Sequence, residues 1–308
     1  MLPLTREKSI PLGMAPSDSP SLQPITRRGI LKAGCAGAAG VALYSTAVAR
    51  HWIDVTRHNV PLAGLAESFD GLRIVQLSDI HMDEFTEPVF LQYVVDRINL
   101  LEPDVILMTG DFVSFDISTK KFAIGSAWQC ANILTGLKCK HVFASLGNHD
   151  VFVDAAEVTA ALTANGIRVL TNASVPLERG GARIWLAGVD DPVEGEPNPE
   201  LAIPASIRGL PNEPIILMCH APDYADDLLQ HPAGHSVSLM LSGHTHGGQV
   251  RLPIVGALQL PDLGKKYVEG WFRFGPMQLY VNRGIGTVGV PFRLDCPPEI
   301  TLFTLRAA

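Results

Sequence analysis

Cysteine is scarce: five residues in 308, none in a C-x-x-C pair. That excludes a disulfide scaffold, a zinc ribbon and a dithiol redox centre. Aromatic residues make up 7% of the chain and do not alternate with basic ones, so the stacking platform that binds single-stranded nucleic acid is missing. Positive charge is short as well. The 24 Lys and Arg against 31 Asp and Glu give a formal net charge of −7, and no broad basic field exists to gather nucleic acid or anionic lipid. An anionic substrate must be held by a local cation, and no nucleic-acid partner is expected. With 47% hydrophobic and 18% charged residues the composition is globular. Histidine, at ten residues, is the side chain to follow.

Residues 1–25 are rich in Pro, Ser and Thr without apolar period, as in an unfolded leader. Thr26-Arg27-Arg28-Gly29-Ile30-Leu31-Lys32 then precedes an uncharged, Ala/Gly-rich stretch that ends in Ala47-Val48-Ala49. This is the pattern of a twin-arginine export signal with an A-x-A cleavage site before Arg50. A membrane span fits less well, since the stretch holds several glycines and fewer than the ~20 strongly apolar residues that crossing needs. Lys32 stands where a lipobox wants Leu, so Cys35 is not a lipidation site. The expectation is a signal and leader over 1–49, a single domain over 50–308, passage through the twin-arginine translocase, and residence in the periplasm or cell envelope. That translocase carries folded proteins, which suits a cofactor loaded beforehand. In an oxidising compartment a Cys130–Cys139 bridge is conceivable, although buried free thiols are the plainer expectation.

Short apolar runs at Arg73–Ser78, Asp104–Thr109 and His141–Leu146 read as buried strands. Between and after them lie helices: one capped by Thr86 with Pro88 in its first turn and Phe90, Val94, Ile98 and Leu101 on one face, then Phe122–Leu137 and Ala155–Ala164. The alternation predicts a layered α/β core. Further strands are expected at Arg183–Ala187, Ile215–Cys219 and Val237–Leu241. Residues 190–214 read as loop, and 265–305 as several antiparallel strands.

Five of these strands end in side chains that ligate metals: Asp79 and His81, Asp111, Asn148 and His149, His220, and His244 with His246. Open α/β sheets bind ligands at the carboxyl ends of strands. Carboxylate, imidazole and carboxamide together form a mixed N/O donor set suited to Mn, Zn or Fe rather than to calcium or a thiolate metal. In extended backbone, Asp-x-His and His-x-His would put both side chains on one side of the strand. A single strand-end histidine is ordinarily structural; five coincident strand ends are not. His51, His58, His141, His231 and His235 fall outside the pattern and read as structural or solvated, and Cys219 as core.

The blocks Asp79-Ile80-His81, Gly110-Asp111, Gly147-Asn148-His149-Asp150, Cys219-His220 and Gly243-His244-Thr245-His246 resemble, in order and spacing, the signature of the calcineurin-like metallophosphoesterases. The stretches Leu241–Pro253, Leu279–Thr287 and Pro297–Leu302 are similar to the twin-arginine-exported phosphodiesterase branch of that superfamily. The resemblance implies a four-layer αββα sandwich of two mixed β-sheets flanked by helices, with two divalent metal ions at the strand ends. It assigns Asp79, His81 and His246 to one metal, Asn148, His220 and His244 to the other, and Asp111 as the bridge. His149 is left unligated, as proton donor to the leaving oxygen or stabiliser of equatorial charge, and a metal-bridged hydroxide attacks phosphorus in line. Many members carry Asp three positions after the bridging Asp to orient that histidine; here Ser114 stands there, and the alternatives are Asp116, Asp150 or a His149 without such a partner. Arg283 and Arg293 are candidate phosphate contacts, with a surface arginine in a turn as the alternative for both. Asp190-Asp191-Pro192 reads as a turn. Substrate choice is expected to lie in residues 115–121 and 190–214, for a small phosphodiester or an envelope component. The competing readings are a pyrophosphatase acting on nucleotide-linked lipid precursors and a metal-free binding scaffold of the same fold.

Overall fold

The computed structural model describes residues 26–83, 85–115 and 120–308; residues 1–25, where a leader is expected, and 116–119, within an expected specificity segment, lie outside them. The chain divides into two units, 1–41 and 42–308. A helix, α1 (Arg27–Leu43), runs on through further helical turns to His51. By length and composition Arg27–His51 could cross a membrane, a test that an export signal also passes.

The second unit holds two six-stranded mixed sheets. The first contains β1 (Asp54–Leu62), β2 (Arg73–Leu77), β3 (Val105–Thr109), β4 (Val142–Ser145) and β5 (Arg168–Val169), with β14 (Glu299–Ala307) inserted between β1 and β2. The second contains β6 (Ala173–Arg179), β7 (Ala182–Gly188), β8 (Ile215–Met218), β9 (Val237–Ser242), β12 (Gly270–Phe274) and β13 (Met277–Val281). A two-stranded hairpin, β10 (Arg251–Leu252) and β11 (Gly256–Ala257), stands apart. The helices α2 (Pro88–Asn99), α3 (Lys120–Leu134) and α4 (Asn148–Ala164) accompany the first sheet in sequence; the short α5 (Pro199–Ala202) and α6 (Ala225–Gln230) accompany the second.

The two-residue period of the strands sorts their side chains into three apolar layers. From β2 and β3, Val75, Leu77, Ile106 and Met108 pack with Leu91, Val94 and Ile98 of α2 and Val158 and Leu162 of α4. Their neighbours Ile74 and Leu107 point the other way and meet Ile216, Leu239 and Leu241 between the sheets. Ile215 and Leu217 of β8 pack outward against Ala202 of α5 and Leu228 of α6. This is the expected αββα sandwich, with the carboxyl ends of β2, β3, β4, β8 and β9 at one edge.

Several local expectations are corrected. β1 and β6 were not anticipated; both are edge strands, where a half-solvated backbone tolerates Pro61 and Pro176 and the apolar pattern is weak. Pro88 opens α2, but the preceding position is Glu87, and no side chain caps it. α4 begins at Asn148, seven residues early, with its helical run broken at Asp154. Residues 190–214 include α5 and a 3₁₀ turn at Ala205–Ile207. The 265–305 stretch supplies one antiparallel hairpin, β12–β13, and then crosses to the other sheet. All five cysteines are free, Cys130 buried and Cys139 half-buried.

Candidate metal centre

The ligand-type residues converge at that edge. Asp79 and His81 follow β2, Asp111 follows β3, Asn148 and His149 open α4 after β4, His220 follows β8, and His244 and His246 follow β9. The strand-end backbone is not extended, as supposed: Asp79, His81, Asp111, His244 and His246 have φ of 51°, 47°, 56°, 71° and 50°. Left-handed turns are accessible to Asp and His at moderate cost. Neighbouring loops hold them there: Asp79 and His81 donate their N–H groups to the carbonyls of Gly110 and Asp111, both at 3.0 Å, and the His244 N–H donates to Asp79 Oδ1 at 2.9 Å. Two glycines are sterically required. A Cβ at Gly147 would lie 2.3 Å from Asp111 Oδ1, and one at Gly243 would lie 1.9 Å from Ser78 Oγ and 2.2 Å from Asp79 Oδ2.

Asp79, His81 and His246 form one cluster of candidate ligand atoms; Asp111, His220 and His244 form a second; Asp111 also joins His81 and His149 in a third. His246 Nε2 lies 3.0 Å from His81 Nε2 and 3.4 Å from Asp79 Oδ1, while Asp111 Oδ2 lies 3.4 Å from His81 Nε2 and 3.1 Å from His220 Nε2. Ligands at ~2.0–2.2 Å from one ion are separated by about 2.8–3.6 Å, so pairs of these atoms could share a divalent ion. Asn148 Oδ1 and His220 Nε2 are buried without a hydrogen-bond partner, although buried polar atoms are ordinarily satisfied. Two orphaned donor atoms beside a carboxylate shared between clusters fit a divalent metal pair.

Surrounding hydrogen bonds set the tautomers. The His220 Nδ1–H donates to Thr109 O at 2.6 Å and the His244 Nε2–H to Asp262 O at 2.7 Å, which leaves His220 Nε2 and His244 Nδ1 as lone pairs. Ser114 Oγ donates to Asp83 Oδ2 at 2.5 Å, so it can only accept from His81 Nδ1 at 3.3 Å, and His81 Nε2 is free to ligate. Ser114 therefore serves His81 and not His149. Asp83 is itself fixed, its Oδ1 accepting the N–H groups of Phe85 at 2.7 Å and Thr86 at 2.9 Å.

His149 takes its orientation from backbone: the Phe115 N–H donates to its Nδ1 at 2.8 Å and leaves the proton on Nε2. Asp150 is not its partner. That buried carboxylate accepts N–H bonds from Asp111 and Phe112, both at 2.8 Å, and from Gly147 at 3.0 Å, pinning the Asp111 loop to the mouth of α4. Asp116 lies outside the described residues.

Burial disfavours charge throughout. It pushes His149 and His244 down to about 4, and holds His246 well below the imidazole range with help from the charges of His81 and Arg293. Burial also opposes protonation of His81 and His220, but the Asp111 carboxylate outweighs it and raises both. Asp111 itself is held well below the carboxylate range; burial works against its charge, and the adjoining histidines overcome that cost.

Neither arginine is among the residues lining the cleft, contrary to expectation. Arg283 pairs with Glu299 Oε2 at 3.0 Å and Asp54 Oδ2 at 2.8 Å. Arg293 is fully buried, and its Nη2 donates to Gly286 O at 2.6 Å and Arg283 O at 2.9 Å, 3.3 Å from His246 Nδ1. Its charge adds to burial and to the charge of His81 in holding His246 neutral. Asp190 and Asp191 accept N–H bonds within the 190–196 turn. Cys219 is core. His51, His58, His231 and His235 bond Glu87, Tyr280, Glu200 and Leu229 O, away from the cleft. Sequence reasoning missed Asp83, Asp262 and Gln249; the last clamps the 288–290 loop, bonding Val288 through both its amide atoms.

The model of the calcineurin-like phosphoesterase family matches residues 72–248. The uncharacterized metallophosphoesterase YkuE of Bacillus subtilis (strain 168) is 35% identical over 282 residues, spanning 91% of this chain and 94% of its own length. Phosphodiesterase YaeI of Escherichia coli (strain K12) is 34% identical over 261 residues, spanning 82% and 88%. Among solved structures, calcineurin-like phosphoesterase YfkN from Bacillus subtilis is 14% identical and covers 70% of this chain and 81% of that one, with a TM-score of 0.43.

Proposed function

This chain belongs to the calcineurin-like phosphoesterase family, and we propose that, within a family of phosphoric-ester hydrolases, it is a two-metal phosphodiesterase of the cell envelope. The observation that carries the metal count is Asp111, one carboxylate common to two ligand clusters, with orphaned Asn148 Oδ1 and His220 Nε2 beside it. Asp79, His81 and His246 would hold one ion and Asn148, His220 and His244 the other. When bound, such a pair neutralises phosphate charge and supplies hydroxide near neutral pH.

The remaining work falls to the chain. His149 lines the cleft beside Asp111 and holds its proton on Nε2, where it can pass to the oxygen that leaves phosphorus opposite the attacking one. Gly147 and Gly243 let the carboxylates of Asp111 and Asp79 sit hard against backbone, and Asp150 prevents the bridging loop from recoiling. Preference for a diester is supported by the relative that bears that name. Export by the twin-arginine translocase and an envelope location are supported by Arg27-Arg28 ahead of the apolar α1.

The test is Asp111→Asn. Metal analysis of the wild-type chain should give near two equivalents with turnover of bis-p-nitrophenyl phosphate, and the variant should lose both. A chelated, dialysed chain that keeps its turnover, or a variant with the wild-type rate, overturns the reading.

A further inference from the structure

The β10–β11 hairpin exposes an apolar tip. Ile254 is 108% exposed, Val255 68% and Leu258 56%, and Leu252 is exposed beside them. Ile254 also has a φ of 70°, a left-handed conformation that a β-branched side chain adopts only under strain. An isoleucine held fully in solvent, where glycine or asparagine would be relaxed, has no folding role. The tip does not stand alone. A cleft of about 480 Å³ runs from the ligand residues past Val250, Val288 and Phe292 to Leu258 and Val290 at its mouth, so the walls leading from the metal centre to the hairpin are largely aliphatic.

We propose that this hairpin enters the acyl region of a phospholipid bilayer and that the substrate is a lipid phosphoester, its phosphate at the ligand cluster and its chain along that aliphatic wall. The proposal rests on the phosphoesterase reading and names its substrate class. Three observations select a bilayer. A water-soluble diester would leave the tip in water with nothing to contact. The net charge of −7 gives no electrostatic route to anionic lipid, and Arg251, the hairpin's only basic residue, is committed to Glu269, so contact must come from apolar insertion. Where its signal is retained, the chain also carries Arg27–His51, a helix that by length and composition could lie in a membrane. The reaction is hydrolysis: water oxygen bonds to phosphorus, one P–O bond breaks, and the leaving oxygen takes a proton.

The experiment uses the full chain on phosphatidylcholine vesicles. In Ile254→Trp, emission from position 254 should shift to the blue and be quenched by brominated acyl chains, at high salt as at low. In Ile254→Asp/Val255→Asp, kcat/KM for phosphatidyl-p-nitrophenol in vesicles should fall at least tenfold while turnover of bis-p-nitrophenyl phosphate is unchanged. Emission unaltered by vesicles, or equal activities of variant and wild type on the vesicle substrate, overturns the proposal. A blue shift that depends on protein concentration without lipid overturns it in favour of a second copy of this chain. Absence of bis-p-nitrophenyl phosphate turnover with every divalent metal defeats the phosphoesterase reading instead, and quenching at position 254 still decides the bilayer contact.

Discussion

Ser114→Ala isolates one link of the ligand scaffold. The hydroxyl stands between the Asp83 carboxylate and the His81 Nδ1–H, and His81 is completely buried. Removing it leaves a buried N–H without an acceptor whenever His81 Nε2 holds a cation, at a cost of about 1–3 kcal/mol. With about 1.4 kcal/mol per tenfold in an equilibrium constant, affinity should drop by roughly 5- to 140-fold. Loss of a partner that orients a ligating histidine costs about the same, 10- to 100-fold. The penalty should fall on one metal equivalent, because His220 and His244 are oriented independently by the carbonyls of Thr109 and Asp262. Competition against a chromophoric chelator, run with Mn²⁺ and Zn²⁺, should show one equivalent weakened and one unchanged. Ser114→Thr, which keeps the hydroxyl, should restore both. If Ser114→Ala holds both equivalents within twofold of wild type, the tautomer argument for His81 is wrong.

Three further outcomes follow from the same geometry. His81 and His220 hold protons more firmly than ordinary histidines because Asp111 outweighs the burial that opposes them, so cations compete with protons at both. Metal affinity should rise with pH and weaken as it falls, and the binding heat should vary with the ionisation enthalpy of the buffer; a buffer-independent heat would contradict this. Gly243→Ala places a methyl group within 2.2 Å of Asp79 Oδ2, and displacing that ligand by even a fraction of an ångström should lower phosphodiester turnover by about 100-fold with the far-ultraviolet dichroism intact. Glu299→Gln removes one of the two carboxylates that pair with Arg283, leaving Asp54 in place, and should cost about 1–3 kcal/mol in denaturant unfolding. Burial opposes the Glu299 charge but Arg283 outweighs it and lowers the pKa, so the wild-type pair stabilises above the ordinary glutamate range and is lost on acidification below it. A variant whose acid unfolding matches wild type would show that the pair contributes nothing.

The ligand set was legible because each member closes an apolar run, and strand ends are where an α/β sheet presents polar groups. Its backbone was not. Period-two alternation carries past the last paired residue only if the chain stays extended, and beyond β2 and β9 it turns left-handed under tertiary hydrogen bonds that leave no local trace. Ser114 and Asp83 are 31 positions apart, and nothing near either marks the other. Asp150 sits next to His149 in sequence, yet it faces the Asp111 loop because α4 starts at Asn148 and turns the two side chains apart. Arg283 and Arg293 resemble phosphate contacts by residue type alone; Glu299, 16 positions on, claims the first, and backbone carbonyls claim the second.

β14 lies between β1 and β2, bonding one in parallel and the other antiparallel, so Thr56 meets Thr301 across 245 positions. A ribosome would expose β1 and β2 long before the strand that must separate them exists. The first sheet stays open through most of synthesis, and its closure waits on the slowest kind of contact to find, one of very high sequence separation. Whatever shields those two unpaired edges during that interval, rather than the stability of the finished sandwich, should limit the yield of native protein.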